Sequence, residues 1–129
     1  MKVAVYTEKA PKPVGPYSQA ICTNGWLFLS GQIPVDPITG SPIEGDFKVK
    51  VRRVLESIKA IVEATGGTLR DIVKVTVFLR NISRFQEFNE VYKEYFSEEP
   101  PARSVVEVSG LPRDSDLEVG AVAYVGKCR

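Results

Sequence analysis

The chain has 129 residues, 43% of them hydrophobic and 26% charged, with 17 Lys and Arg against 16 Asp and Glu for a formal net charge of +1. This length suits one domain around one core, and the composition speaks against disorder or a fibrous repeat. The near-neutral balance provides no global field to draw nucleic acid or an anionic membrane. The absence of histidine removes the usual base of a Ser or Cys triad and the commonest transition-metal ligand.

The opening "MKVAVYTEKAPKP" lacks the apolar core of a leader, and no stretch approaches the roughly 20 apolar residues of a membrane helix. A cytoplasmic protein is expected. Cys22 and Cys128 form no CxxC pair and are expected as reduced thiols, Cys22 packed within an apolar run and Cys128 exposed near the C-terminus.

In "KPVGPYSQAI", residues 12–21, Pro13, Gly15 and Pro16 disfavour helix and read as a loop entering a strand. Residues 18–24 and 26–31 then form a predicted hairpin, because Asn24-Gly25 is the two-residue type that favours a type I′ turn. "IPVDPITGSPIEGD", residues 33–46, is a proline- and glycine-rich loop of restricted flexibility that should cover something. From Asp46 onward, Phe47, Val51, Val54, Leu55, Ile58, Ile61 and Val62 recur at spacings of three and four, the pattern of an amphipathic helix. Gly66-Gly67 ends it.

"DIVKVTVFL" predicts a strand with Val73, Val75, Val77 and Leu79 on one face and Lys74, Thr76 and Phe78 on the other. A second helix is predicted from Ser83, where Ser83 and Gln86 fit a capping box, with Phe85, Phe88, Tyr92, Tyr95 and Phe96 as its apolar stripe. Pro100 and Pro101 stop it. Two strands follow, near 104–109 and 117–125. The order strand, strand, strand, helix, strand, helix, strand, strand predicts a single α+β domain over residues 1–129, a mixed sheet carrying both helices on one face. The other face, with Phe78 on it, should be buried by self-association.

With triads and metal sites disfavoured, and no Gly-rich phosphate loop before a helix, the candidates for chemistry are polar groups set against apolar structure. Arg103, between prolines and a strand, can hold a carboxylate in bidentate fashion or make a structural pair with a glutamate. Glu118 interrupts the apolar run "LEVGAVAYV" and either faces solvent or points into a cavity as a base or water-orienting group. Asn89 lies on or beside the helix stripe, tying helix to strand or facing a ligand. Tyr17 and Ser30-Gly31 are weaker candidates, with packing and turn chemistry as their alternatives.

Taken together, "GPYSQA" at 15–20, "FLSGQIPVDPITG" at 28–40, "GGTLRDIVKVTVFL" at 66–79, "FNEVY" at 88–92 and "PARSVVEVSGLPRDSDLEV" at 101–119 make the chain resemble the Rid family (YjgF/L-PSP), and its RidA branch in particular. The resemblance runs nearly end to end. It implies a chorismate-mutase-like α+β fold assembled as a homotrimer, with sites in the clefts between subunits. It further implies hydrolysis of enamines and imines such as 2-aminoacrylate and 2-iminobutanoate, released by pyridoxal-phosphate-dependent dehydratases, to 2-keto acids and ammonia, without a cofactor. The family's carboxylate-binding arginine falls on Arg103, its water-positioning glutamate on Glu118, and its other pocket residues on Tyr17, Ser30, Gly31 and Asn89. Many relatives carry cysteine two positions after the arginine, where this chain has Val105. Two other functions are compatible with the resemblance: a non-catalytic trimer that binds 2-keto acids, and an RNA-cleaving translation inhibitor, the latter disfavoured by the neutral charge and the lack of an aromatic-basic patch.

Overall fold

The computed structural model describes residues 1–128. Six strands, β1 (Val3–Val5), β2 (Ala20–Thr23), β3 (Trp26–Gln32), β4 (Ile72–Leu79), β5 (Ala102–Glu107) and β6 (Leu117–Tyr124), form one sheet in the order β1-β2-β3-β6-β4-β5. β4 and β5 run parallel and every other neighbouring pair is antiparallel, so the sheet is mixed. Two helices, α1 (Phe47–Glu63) and α2 (Phe85–Tyr95), pack on one face. This is the α+β architecture expected, with both helices on the same side.

The β2–β3 turn is built as its sequence requires: Asn24 and Gly25 both have positive φ, 50° and 84°, as a type I′ turn demands. α1 begins where the apolar period begins, with Asp46 as N-cap accepting from Val49 N. Its buried stripe of Phe47, Val51, Val54, Leu55, Ile58, Ile61 and Val62 meets Leu27 and Leu29 of β3 and Leu117, Val119 and Ala123 of β6 in one core. The two helices are parallel, since Lys48 pairs with Glu90 and Arg52 with Glu94.

Four expectations are corrected. Val73 does not share the core face of β4: it is 44% exposed, because an irregularity in the β4–β6 register between Ile72 and Lys74 turns it outward and hands its place to Ile72. The Ser83–Gln86 capping box does not form. A 3₁₀ turn at Ile82–Arg84 precedes α2, and Asn81 caps it, its Oδ1 accepting from Ser83 N and Ser83 Oγ. The stripe of α2 buries Val91 along with Phe88 and Tyr92, while Phe85 and Tyr95 are only partly covered.

The fourth correction concerns the cysteines, which are not free thiols. Cys22 and Cys128 are joined in a disulfide, with Cα atoms 5.7 Å apart across a sequence separation of 106. Local sequence gives no hint of this pairing. After β6 the chain folds back on the hairpin turn, with Val125 N and Gly126 N both donating to Gly25 O, and so delivers Cys128 to the inward side chain of β2. A side chain at Gly25 would prevent this approach, because a Cβ there would lie 2.8 Å from the carbonyl carbon of Gly126.

The face of the sheet away from the helices carries Trp26, Phe28, Val106 and Tyr124, all exposed. Trp26 and Tyr124 meet edge to face with ring centroids 4.9 Å apart. Among the described residues no helix is long and apolar enough to cross a membrane.

Candidate functional site

Glu118 stands on the open face of β6, between the buried Leu117 and Val119 that point to the helices. Beside it, the β3–β6 register shifts between Leu29 and Gln32, and this bulge holds Ser30 and Gly31. Gly31 is required here: a Cβ on it would come within 2.0 Å of Glu118 Oε2, so the carboxylate occupies the space that any other side chain would take. Burial pushes the Glu118 carboxyl above its ordinary value, and among the described residues it has no ion-pair partner.

Ser30 ties this corner to the loop between β1 and β2, its N donating to Gln19 O and its Oγ to Ser18 O at 2.6 Å. Gln19, which the sequence reading did not single out, is the clamp of that loop. Its buried Nε2 donates to Thr7 O, Ala10 O and Pro11 O, and its Oε1 accepts from Thr7 N at 2.7 Å. The available signal was an amide leading into the apolar strand "AIC". Tyr17 is placed as a result, with Val14, Ser30, Gly31, Arg113 and Glu118, around a cleft of ≈ 360 Å³.

Arg113 was also missed. Its backbone is in the left-handed region, φ 55°, and its Nη1 donates to Gly40 O at 2.9 Å. The loop of residues 33–46 therefore does cover something: with Ile33, Val35 and Gly40 it walls an adjoining cavity of ≈ 210 Å³ that shares Tyr17 and Gly31 with the first.

Arg103 and Asn89 form a second cleft elsewhere. Arg103 is the second residue of β5, separated from Pro100-Pro101 by Ala102, and sits in register with Val75 of β4, which directs its side chain to the helix side. Its Nη1 donates to Asn89 Oδ1 at 2.8 Å, and its guanidinium carbon lies 4.7 Å from the ring centroid of Tyr92 and 5.4 Å from that of Phe85. Both contacts fall in the cation–π range. Tyr92 is 6% exposed and its hydroxyl is pushed up to about 12 by burial, despite the opposing Arg103 charge. Arg103 makes no ion pair among the described residues, so the alternative of a structural pair with a glutamate is not realised. The cleft around Arg103 and Asn89 measures ≈ 450 Å³.

The six residues singled out from sequence thus fall into two groups, Tyr17, Ser30, Gly31 and Glu118 in one and Arg103 and Asn89 in the other, on opposite faces of the sheet. β4 separates β6 from β5, and Glu118 is in register with Phe78 whereas Arg103 is in register with Val75. The two positions are therefore about 10 Å apart across the strands and about 10 Å apart along them. Within one chain no ligand of amino-acid size touches both. The first cleft offers a half-buried carboxylate beside backbone and hydroxyl groups, suited to handling water and protons. The second offers a cation whose partner is a neutral amide, suited to an anion.

Comparison with known proteins places this geometry in context. The family model described as Endoribonuclease L-PSP matches residues 7–125. A RutC family protein of Pyrococcus horikoshii is 56% identical over 124 residues, covering 96% of this chain and 98% of the relative. The 2-iminobutanoate/2-iminopropanoate deaminase of Salmonella typhimurium is 44% identical over 126 residues, covering 95% and 98%. Among solved structures, RidA from the Antarctic bacterium Psychrobacter superposes with a TM-score of 0.92 at 42% identity, covering 95% of this chain and 99% of that one. TdcF of E. coli with bound serine gives 0.89 at 43%, covering 95% and 98%. With two helices on a mixed six-stranded sheet and matches that span nearly all of its length, the chain belongs to the Rid (YjgF/L-PSP) family.

Proposed function

We propose that this protein hydrolyses reactive 2-imino acids and their enamine tautomers, such as 2-aminoacrylate and 2-iminobutanoate, to 2-keto acids and ammonia. The observation that carries this reading is the state of Arg103. Its partly buried guanidinium is fixed by Asn89 Oδ1 and two ring faces and is not neutralised by any described carboxylate, which leaves its charge for the carboxylate of a ligand. The name of the 44% identical Salmonella relative supports the same chemistry.

An imine carbon is already electrophilic, so the site has only to hold the substrate, deliver water and protonate the departing nitrogen. Arg103 anchors the substrate carboxylate. Glu118 accepts a proton from water as its oxygen adds to the imine carbon and passes it to nitrogen, then carries the remaining hydroxyl proton to nitrogen as the C–N bond breaks and the C=O bond forms, so that ammonia leaves. Tyr17, Ser30, Gly31 and Asn89 bound the pocket. No redox step or cofactor enters this sequence, because water and imine together contain every atom of the keto acid and ammonia.

Since Arg103 and Glu118 lie on opposite faces, the reading requires two protomers. We place each reaction site where the Arg103 cleft of one protomer closes on the Glu118 cleft of the next, three times around a homotrimer. Support comes from the exposed apolar face of Trp26, Phe28, Val106 and Tyr124, which a second copy of the chain would cover. The functional partners are then dehydratases that release the imines, in a cytoplasmic setting.

The test adds the protein to a threonine or serine dehydratase reaction and follows keto-acid formation against semicarbazide trapping of the imine. Faster keto-acid release by wild type, and not by Arg103→Ala, supports the reading. No acceleration by either sinks it and favours a 2-keto-acid-binding trimer. The RNA-cleaving reading, which the family description raises, would require binding with a steep salt dependence from a chain of net charge +1.

A further inference from the structure

Lys93 stands one turn beyond Asn89 on α2. Positions 89, 92 and 93 share one helix face, and their side chains, Asn89, Tyr92 and Lys93, line the cleft that contains Arg103 together with Phe96 at the C-cap of α2. The carboxylates nearest Lys93 in sequence are taken: Glu90 pairs with Lys48, and Glu94 with Arg52. Lys93 makes no ion pair among the described residues, and the rest of the wall, Pro100 and Pro101 included, contains no acidic side chain. The cleft thus concentrates two cations and no anion in a protein whose formal net charge is only +1.

A lysine in the last turn of a helix complements the helix dipole, which accounts for its place along α2; the charges of Glu90 and Glu94 reach it, but each carboxylate is held by another cation and neither lines the cleft. The four residues from Asn89, which holds the guanidinium, to Lys93 correspond to about 6 Å of helix. That is the scale on which a four- or five-carbon dicarboxylate separates its two charges.

We infer that the Arg103 cleft favours 2-imino acids with an acidic side chain, Arg103 holding the carboxylate beside the imine carbon and Lys93 the one at the far end. This rests on the imine-hydrolysis reading above and deepens it. Imines of this class arise when an amino dicarboxylic acid is oxidised at its α-carbon: the Cα hydride passes to a flavin or nicotinamide and a proton leaves nitrogen. For these acidic imines the supplying reaction is an amino-acid oxidase or dehydrogenase step, beside the β-eliminations that supply 2-aminoacrylate and 2-iminobutanoate. Water then adds to the C=N bond and ammonia leaves, giving a 2-keto dicarboxylate.

The imine carbon is planar, so either enantiomer of the amino acid generates the same substrate. Iminosuccinate can be produced from D-aspartate with D-aspartate oxidase and catalase, and iminopropanoate from D-alanine with D-amino-acid oxidase and catalase, each with semicarbazide as competing trap. We expect wild type to show the higher kcat/KM on iminosuccinate. Lys93→Gln should lower the iminosuccinate-to-iminopropanoate ratio about tenfold, and Lys93→Arg should largely restore it. An unchanged ratio in Lys93→Gln, with both imines still hydrolysed, overturns the role of Lys93 and leaves imine hydrolysis standing. Failure to accelerate either imine overturns the hydrolysis reading and this inference with it.

Discussion

If Arg103 and Glu118 of one site come from different protomers, two inactive variants should rescue one another. Arg103→Ala removes the partner of the substrate carboxylate, a loss of about 2 to 5 kcal/mol for a buried charge pair, or about 30-fold or more in activity at tenfold per 1.4 kcal/mol. Glu118→Ala removes the group that handles water and should depress kcat more than substrate affinity. In a ring of three with head-to-tail contacts, any trimer containing both variants has one junction at which an intact Arg103 meets an intact Glu118, whether the composition is two to one or one to two. Its activity should therefore be about one third of wild type, against about 3% or less for the Arg103→Ala parent. Co-expression with two different affinity tags and sequential purification isolates the mixed trimers, native mass spectrometry verifies three chains of 14.3 kDa, and the dehydratase-coupled assay reads the rate. Mixed trimers no more active than the mean of their parents would refute the shared site, and with it the functional meaning given to the opposite-face placement.

Four further outcomes follow from particular contacts. Gly31→Ala forces the Glu118 carboxylate away, since the new Cβ would lie 2.0 Å from Oε2; activity should fall at least about tenfold while the thermal midpoint moves by only a few degrees, and retained activity would show that the carboxylate position is immaterial. Burial raises the Glu118 pKa, and the ionised form is the one that accepts a proton, so kcat/KM should fall with decreasing pH along a limb set above the ordinary glutamate value, and Glu118→Gln should abolish that limb. The same shift costs stability as pH rises: the penalty is absent below the unfolded-state pKa and complete above the folded one, so denaturant titration should find Glu118→Gln more stable than wild type at neutral pH and not in acid. The Cys22–Cys128 bridge closes a loop across a separation of 106, for which chain entropy gives about 4 to 5 kcal/mol; urea unfolding with and without reductant should reveal a loss of that order, and two titratable thiols in the native protein would contradict the bridge.

What could be seen in the sequence was what repeats locally. The α1 stripe and the Asn24-Gly25 turn are written in spacings of two to four residues, and both formed where expected. Errors arose where a distant partner decides the outcome. Val73 continues the alternation of β4 perfectly well, and only the irregular pairing with β6 turns it outward. Ser83 has a capping partner at the right interval, but Asn81 Oδ1 accepts from both the N–H and the hydroxyl of Ser83 and so takes over the cap. Cys22 meets Cys128 because the tail after β6 returns along Gly25, a contact that no window of sequence contains.

The candidate site shows the same division. Residue type and context singled out Arg103 and Glu118 with a structural pair and solvent exposure as their alternatives, the family resemblance gave them roles, and the structure gives each a physical setting: Gly31 leaves space for one, and Asn89 and Tyr92 fix the other. Their separation depends on strand parity and sheet order, because Glu118 alternates with buried neighbours on β6 while Arg103 shares its register row with a core valine. Parity is legible once a strand is placed, but sheet order is not, since β6, last in the chain, inserts between β3 and β4. That insertion sets Glu118 against the Gly31 bulge and leaves Arg103 two strands away on the edge strand β5. An edge position on one face and a bulge on the other are both accessible to a neighbouring molecule, so the arrangement that divides the site within one chain also leaves each half open to be completed by the next.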